Sequence, residues 1–234
     1  MKTIGLVMIV RNESRSLERC LSQAEKLVDE IYITDTGSED DTIEIARRHH
    51  AQISEFNWCN DFSAARNYAL EQSDCDWNLI LDADEYLVEG TKKDLLNFIE
   101  SGDYAGAIER HDSYKESTGE ISQSCVFTTR LVPRGTFYEG KVHEQIVTKL
   151  PIRPLPLIFE HDGYLQEGKG QRNLEILLEE LEEKPEDPYT LYQIARTLWL
   201  MKEYVQADGY FERFYQLVPE SGTGYRVSGV LSYL

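Results

Sequence analysis

Trp77-Asn78-Leu79-Ile80-Leu81-Asp82-Ala83-Asp84-Glu85-Tyr86 is the stretch on which the fold reading turns. An apolar run of strand length, Trp77 to Leu81, ends in three carboxylates. Buried strands of parallel sheets read as short continuous apolar runs, and open α/β sheets bind ligands beyond the C-terminal ends of their strands. If the strand persists, Asp82 and Asp84 project to the same side, and two acids can converge on one hard cation. Mg²⁺ or Mn²⁺ held this way completes its shell with substrate phosphates and water. A bare D-x-D pattern is more often a solvated acidic loop; following an apolar strand is what makes this one a candidate site.

Outward from this strand, the pattern up to about Gly102 alternates short apolar runs with amphipathic stretches. Ile4 to Val10 reads as a buried strand. Leu17 to Val28 reads as a helix with apolar positions at Leu17, Leu21, Ala24, Leu27 and Val28. Glu30 to Thr34 and Gln52 to Phe56 are further strands; Thr42 to His49, Phe62 to Gln72 and Lys92 to Ser101 are helices. Strands separated by such helices form βαβ units, hence an α/β fold with a mostly parallel sheet and right-handed crossovers. From Tyr104 to His161 aromatic and β-branched residues dominate. Turn signals at Ser117-Thr118-Gly119 and Pro133-Arg134-Gly135 then predict added antiparallel hairpins.

Beyond Gly170 the chain reads as helical and acidic. Pro185 and Pro219 stand 34 residues apart, each followed by Glu, with Ala195, Ala207, Phe211 and Phe214 between them. That is the period of a tetratricopeptide repeat. Asn173 to Glu183 fits the second half of an earlier repeat, and Tyr225 to Leu234 begins another. The expected domains are an α/β domain over residues 1–165 and a helical region over 170–234 that ends mid-repeat. A stack ending there exposes an apolar edge, which implies truncation, a second copy or a partner protein.

Composition narrows the classes. The 234 residues carry 42 acidic against 24 basic side chains, a formal net charge of −18, which argues against nucleic acid or an anionic membrane surface as partner. A single nucleotide remains open, since it needs only a local pocket and a cation. No apolar run approaches the roughly 20 residues of a membrane span. Met1 to Val10 lacks a signal-peptide cleavage site, so a cytoplasmic location is expected. Cys20, Cys59, Cys75 and Cys125 have no CxxC pairing and suit neither a zinc cluster nor a disulfide framework.

Two more segments end at polar loops. In Asp35-Thr36-Gly37-Ser38-Glu39-Asp40-Asp41-Thr42, Gly37 supplies the turn, and helix capping explains Ser38, Asp40 and Asp41. Asp35, at the strand end itself, is the better candidate for a ligand contact. In Trp58-Cys59-Asn60-Asp61-Phe62-Ser63-Ala64-Ala65-Arg66-Asn67, Asp61 or Ser63 can cap a helix carrying Arg66 one turn in. There Arg66 faces phosphates, faces a base, or forms a surface salt bridge.

The segments MIVRNE (8–13), DTGSED (35–40), WCNDFSAARNYAL (58–70) and LILDADEYL (79–87), in this order, resemble family 2 glycosyltransferases of the GT-A fold. The likeness is nearest to a bacterial cytoplasmic group with tetratricopeptide repeats after the catalytic domain, which includes bacteriocin S-glycosyltransferases. It implies a GT-A-like catalytic domain binding a nucleotide-sugar, with a UDP-sugar as donor. By the same resemblance Val10, Asn12, Asp35 and Arg66 serve the nucleotide, and Asp84, with Asp82 beside it, serves a Mg²⁺ or Mn²⁺ ion and the donor sugar. Thr36 departs from the pattern, where many members carry a second Asp, so Asp35 alone is left to read the base.

A general base must come from the β-rich region, and members with a similar G-x-x-H-E segment point to Gly140-Lys141-Val142-His143-Glu144. On an extended strand His143 and Glu144 face opposite sides, and Glu144 is favoured. His161 is a candidate to swing over the diphosphate or to complete the metal shell, as a His does in several GT-A enzymes. His111 and Asp112 have no comparable context, and His49-His50 reads as a helix C-terminus favoured by the dipole. The expected reaction is inverting transfer of one sugar to a soluble peptide or small-glycan acceptor, since the chain lacks the Gln-x-x-Arg-Trp signature of processive synthases. Two rivals stand beside it. One is a phosphohydrolase with Asp82 as nucleophile, although that motif ordinarily follows a first strand. The other is a repeat scaffold with a decayed transferase domain.

Overall fold

The computed structural model describes residues 2–115, 119–163 and 169–218. Ser117, Thr118, Pro219 and the segment Tyr225 to Leu234 lie outside the described residues. The chain divides into two compact units, residues 1–140 with 144–166, and residues 141–143 with 167–234.

The first unit is a mixed α/β structure around an eight-stranded sheet. Strands β1 (Ile4–Val10), β2 (Glu30–Asp35), β3 (Gln52–Glu55) and β4 (Trp77–Ile80) run parallel in the order β3-β2-β1-β4. Helices α1 (Leu17–Ala24), α2 (Thr42–Arg48) and α3 (Phe62–Glu71) connect them. Strand β1 is apolar throughout because both of its faces are covered. Leu6 and Met8 pack with Leu17 and Leu21 of α1, while Val7 packs with Ala69 and Leu70 of α3. The order reverses between β1 and β4, and at such a switch point the loops beyond the strand ends leave a crevice.

Beyond β4 the sheet continues with β7 (Ile121–Pro133), β6 (Ala105–Lys115), β10 (Ile152–His161) and β5 (Glu85–Glu89). β7 is antiparallel to both β4 and β6, β10 is parallel to β6, and β5 closes the edge antiparallel to β10. Helix α4 (Lys92–Glu100) joins β5 to β6 and adds Leu95 and Phe98 to the core. Strands β8 (Phe137–Glu139) and β9 (Gln145–Val147) form a separate two-stranded sheet.

Three elements of this unit differ from the sequence expectation. Helix α1 ends at Ala24 rather than Val28, yet Leu27 and Val28 remain 1% and 7% exposed. Their apolar character reports burial in the following turn, which helical periodicity cannot tell from helix. Strand β4 stops at Ile80, and the Glu85 amide donates to the Asp82 carbonyl at 3.1 Å. Asp82 and Asp84 therefore sit in a turn and do not share a strand face. The chain then re-enters the sheet as β5, an edge strand whose short apolar run the sequence reading passes over.

In the second unit, α5 (Lys169–Glu183), α6 (Pro188–Leu200) and α7 (Tyr204–Leu217) follow one another. Asp187 caps α6 by accepting from the Thr190 amide at 2.8 Å, with Pro188 at the first helical position. Tyr192 of α6 lies 6.4 Å and 5.5 Å, ring to ring, from Phe211 and Phe214 of α7. Helix α5 begins four residues before the Asn173 of the sequence reading. Among the described residues no helix is long and apolar enough to cross a membrane.

Candidate active site

The loops after β1 and β2 are tied to each other through polar side chains. Asn12, in the left-handed region at φ 55°, donates its amide to Ser38 Oγ at 2.9 Å and accepts from the Glu39 amide at 2.8 Å. Asp40 accepts from the Ser14 amide at 3.1 Å and from the Thr42 amide at 3.0 Å. These bonds hold its carboxyl at about 2, against burial that would raise it. Asp41, at the N-cap of α2, makes no side-chain cap bond, and Ser38 serves Asn12, so the capping assigned to both gives way to cross-loop bonding.

Asp35 is 8% exposed, and its carboxylate accepts from the Gly37 and Ser38 amides at 3.2 and 3.1 Å. Gly37 at φ 105° makes that tight return possible. Val10 pairs with Asp35 across the parallel ladder, and its carbonyl accepts from both the amide and the hydroxyl of Thr36 at 2.9 and 3.1 Å. The hydroxyl donates a bond that an ionised carboxylate could not, which gives a local reason for Thr at this position.

Asp61 caps α3, accepting from the Ala64 amide at 2.9 Å, and Ser63 donates to the same carboxylate at 2.8 Å. Arg66, one turn in, is no surface residue: it is 7% exposed. Its Nη2 donates to Asp82 Oδ1 at 2.7 Å and its Nε to Glu144 Oε1 at 2.5 Å. Its Nη1 is buried with no hydrogen-bond partner among the described residues. Asn67 next to it binds Tyr138 of β8 on both sides, accepting from the Tyr138 amide at 2.7 Å and donating to its carbonyl at 3.0 Å. The Ala-Arg-Asn segment thus seats the β8–β9 pair that precedes and follows Glu144. Residues 140–144 form no strand, so no strand alternation sets His143 and Glu144 on opposite faces. His143 turns at φ 55°, belongs to the helical unit, and its carbonyl accepts from Tyr189 Oη at 3.0 Å.

The three acids after β4 have different surroundings. Asp82 also accepts from Arg130 Nη2 at 2.6 Å. Burial opposes its ionisation, but Arg130 and Arg66 outweigh that and hold the carboxyl well below the ordinary range. Glu85, fully buried, accepts from Arg130 at 2.5 Å and from Arg110 at 3.0 Å. Asp84, 4% exposed, lies with Oδ1 3.5 Å from His161 Nε2. The other nitrogen of His161 is 2.9 Å from Asp112 Oδ1, and Asp112 also accepts from Arg110 at 2.7 Å. Burial favours neutral His161, yet the two carboxylates overcome it and raise its pKa to about 9.

These ion pairs run without a break from Glu144 through Arg66, Asp82, Arg130, Glu85, Arg110, Asp112 and His161 to Asp84. Five carboxylates face three guanidiniums and one imidazole, so the set stays negative even with His161 charged. A buried set with excess negative charge favours a cation. His161, oriented through Nδ1 by a carboxylate and presenting Nε2 beside Asp84, has the second-shell arrangement typical of metal-ligating histidines. The donor set of Asp84 and His161 therefore fits a divalent ion that accepts oxygen and nitrogen.

Arg110 and Arg130 go unmarked in the sequence, Asp112 is set aside there, and Glu85 counts only as the third acid of the turn. The available signal is the run Glu109-Arg110-His111-Asp112 inside a strand, since a charge on a covered face must be paired.

The family profile described as Glycosyl transferase family 2 matches residues 6–153. A TPR repeat-containing protein of Synechococcus elongatus is 32% identical over 85% of this chain and 53% of its own length. The SPbeta prophage-derived glycosyltransferase SunS of Bacillus subtilis is 28% identical over 90% of this chain and 53% of its own. The chain thus spans about half the length of the curated relatives it matches. Among solved structures, S. aureus TarS residues 1–349 in complex with UDP-GlcNAc superposes with a TM-score of 0.58 at 16% identity. That match covers 94% of this chain and 82% of the TarS 1–349 chain. The likeness makes the fold GT-A-like.

Proposed function

We propose, from the premise that this chain belongs to glycosyl transferase family 2, that it transfers a single sugar from a UDP-sugar to a soluble acceptor with inversion, aided by Mg²⁺ or Mn²⁺. The observation that carries the reading is Asp84 Oδ1 at 3.5 Å from His161 Nε2, with Asp112 holding the far side of the imidazole. Asp84 and His161 would hold the ion, and Asp82 serves Arg66 and Arg130 in place of the metal. A divalent ion there supplies charge neutralisation for a diphosphate.

The chain's own groups account for the rest. The loops of Val10, Asn12 and Asp35 form the nucleoside side, preshaped by their mutual hydrogen bonds. Arg66 offers its unpartnered Nη1 to a phosphate oxygen, where negative charge grows as the anomeric carbon–oxygen bond to UDP breaks. Glu144 accepts the acceptor's proton as the new bond forms on the opposite face of the sugar. His143, one residue before it, is the second candidate for that role. Residues 1–165 make the catalytic domain and 170–234 a tetratricopeptide-like region for a peptide acceptor or a second copy, in a protein that works in the cytoplasm.

Calorimetry with UDP-sugars, with and without Mn²⁺, tests this. Metal-dependent binding by the parent chain and none by Asp84→Ala is the expected result. Binding indifferent to metal, or none by the parent, overturns it.

A further inference from the structure

Neighbouring residues of a strand project to opposite faces, so β6 carries two sets of charged side chains. Arg110 and Asp112 join the ion-pair network, while Glu109 and His111 point to the other side. The antiparallel ladder between β6 and β7 sets Cys125 directly opposite His111. Sequence spacing hides this, because Cys125 lies 14 residues beyond His111.

The three side chains converge. Glu109 Oε1 is 2.7 Å from His111 Nε2. One donor atom from each lies within 4.8 Å of the other two. Glu109 and His111 are half-buried and Cys125 is exposed, so an ion can reach them from solvent. Ligand atoms around one tetrahedral Zn²⁺ stand about 3.3–3.8 Å apart for the usual zinc–ligand bond lengths. Small side-chain rotations on a rigid ladder cover the difference. Thiolate, imidazole and carboxylate together suit a borderline-soft ion, whereas Mg²⁺ and Mn²⁺ prefer all-oxygen sets.

We propose that Glu109, His111 and Cys125 form a second metal site, for one Zn²⁺-class ion, on the face of β6 opposite Arg110 and Asp112. The ion ties β6 to β7 across the ladder and keeps its fourth position open to water or an external ligand. This site stands whether or not the transferase reading holds.

Co²⁺ added to the reduced full chain tests it, read by the thiolate-to-cobalt charge-transfer band. The expected result is a band that saturates at one equivalent and is displaced by Zn²⁺. Cys125→Ser abolishes it. Glu109→Gln and His111→Asn weaken binding roughly tenfold or more, since even loss of a second-shell partner costs that much. Cys59→Ser removes the other exposed thiol, and Asp84→Ala alters the transferase site; both leave the band intact. Thermal unfolding of metal-free Cys125→Ser like that of the parent confirms that the variant folds. No band in the parent, a band surviving Cys125→Ser, or one lost in Cys59→Ser overturns the proposal.

Discussion

Asp112 and His161 are register partners on the parallel strands β6 and β10, and Asp112 Oδ1 stands 2.9 Å from His161 Nδ1. The contact turns Nε2 of the same ring toward Asp84. If the pair orients a metal ligand, Asp112→Asn lowers Mn²⁺ affinity by about 10- to 100-fold, the usual cost of losing a second-shell carboxylate. Calorimetric titration of Mn²⁺ into both proteins measures this, and an unchanged affinity counts against His161 as ligand.

Arg130 is a structural keystone between Asp82 and Glu85. Replacing it with Met leaves Glu85 buried with half of its compensation gone. Breaking a buried pair from one side costs about 3–5 kcal/mol. Urea unfolding of Arg130→Met is expected to lose stability in that range at an unchanged m-value; a loss below about 1 kcal/mol would mean that water reaches Glu85.

Glu144→Gln keeps an acceptor for Arg66 Nε but removes the base. Sugar transfer is expected to drop about 10²- to 10⁴-fold in kcat, the usual contribution of general-base catalysis, with UDP-sugar affinity little changed. Equal loss of donor binding would instead make Glu144 a positioning partner of Arg66.

Asp40 titrates at about 2 in the folded chain against 3.8 for the free side chain. A depressed folded value means that its stabilising effect is complete above 3.8 and fades as pH falls through about 2. The tie between the β1 and β2 loops should loosen over that window. Carboxyl NMR should show Asp40 titrating near 2, and Asp40→Asn should remove that part of the acid dependence. Titration near 3.8 would mean the Ser14 and Thr42 bonds are broken in solution.

The strand–helix alternation to Glu100 is legible in the sequence because β1 and β4 are covered on both faces and α1 to α4 on one. Burial there imposes apolar runs and periodicities that need no partner to be recognised. Asp35, Asp82 and Asp84 stand out as candidates for a related reason, since each lies at or just past a strand end marked by a change from apolar to polar residues, and Arg66 stands one turn beyond the Asp61 cap of α3. Edge strand β5 is not legible, because its short run gains its partner only from β10, far along the chain.

Sequence by itself determined the α/β class, the four parallel strands in chain order and the acidic turn after β4. Only the tertiary structure decided which partners each acid there meets. Asp82 and Glu85 go to Arg66, Arg130 and Arg110, and Asp84 goes to His161, because β6, β7 and β10 bring those cations beside the end of β4. Long-range strand pairing sets which charges meet, and the cost of leaving any one of them buried alone then fixes the partners.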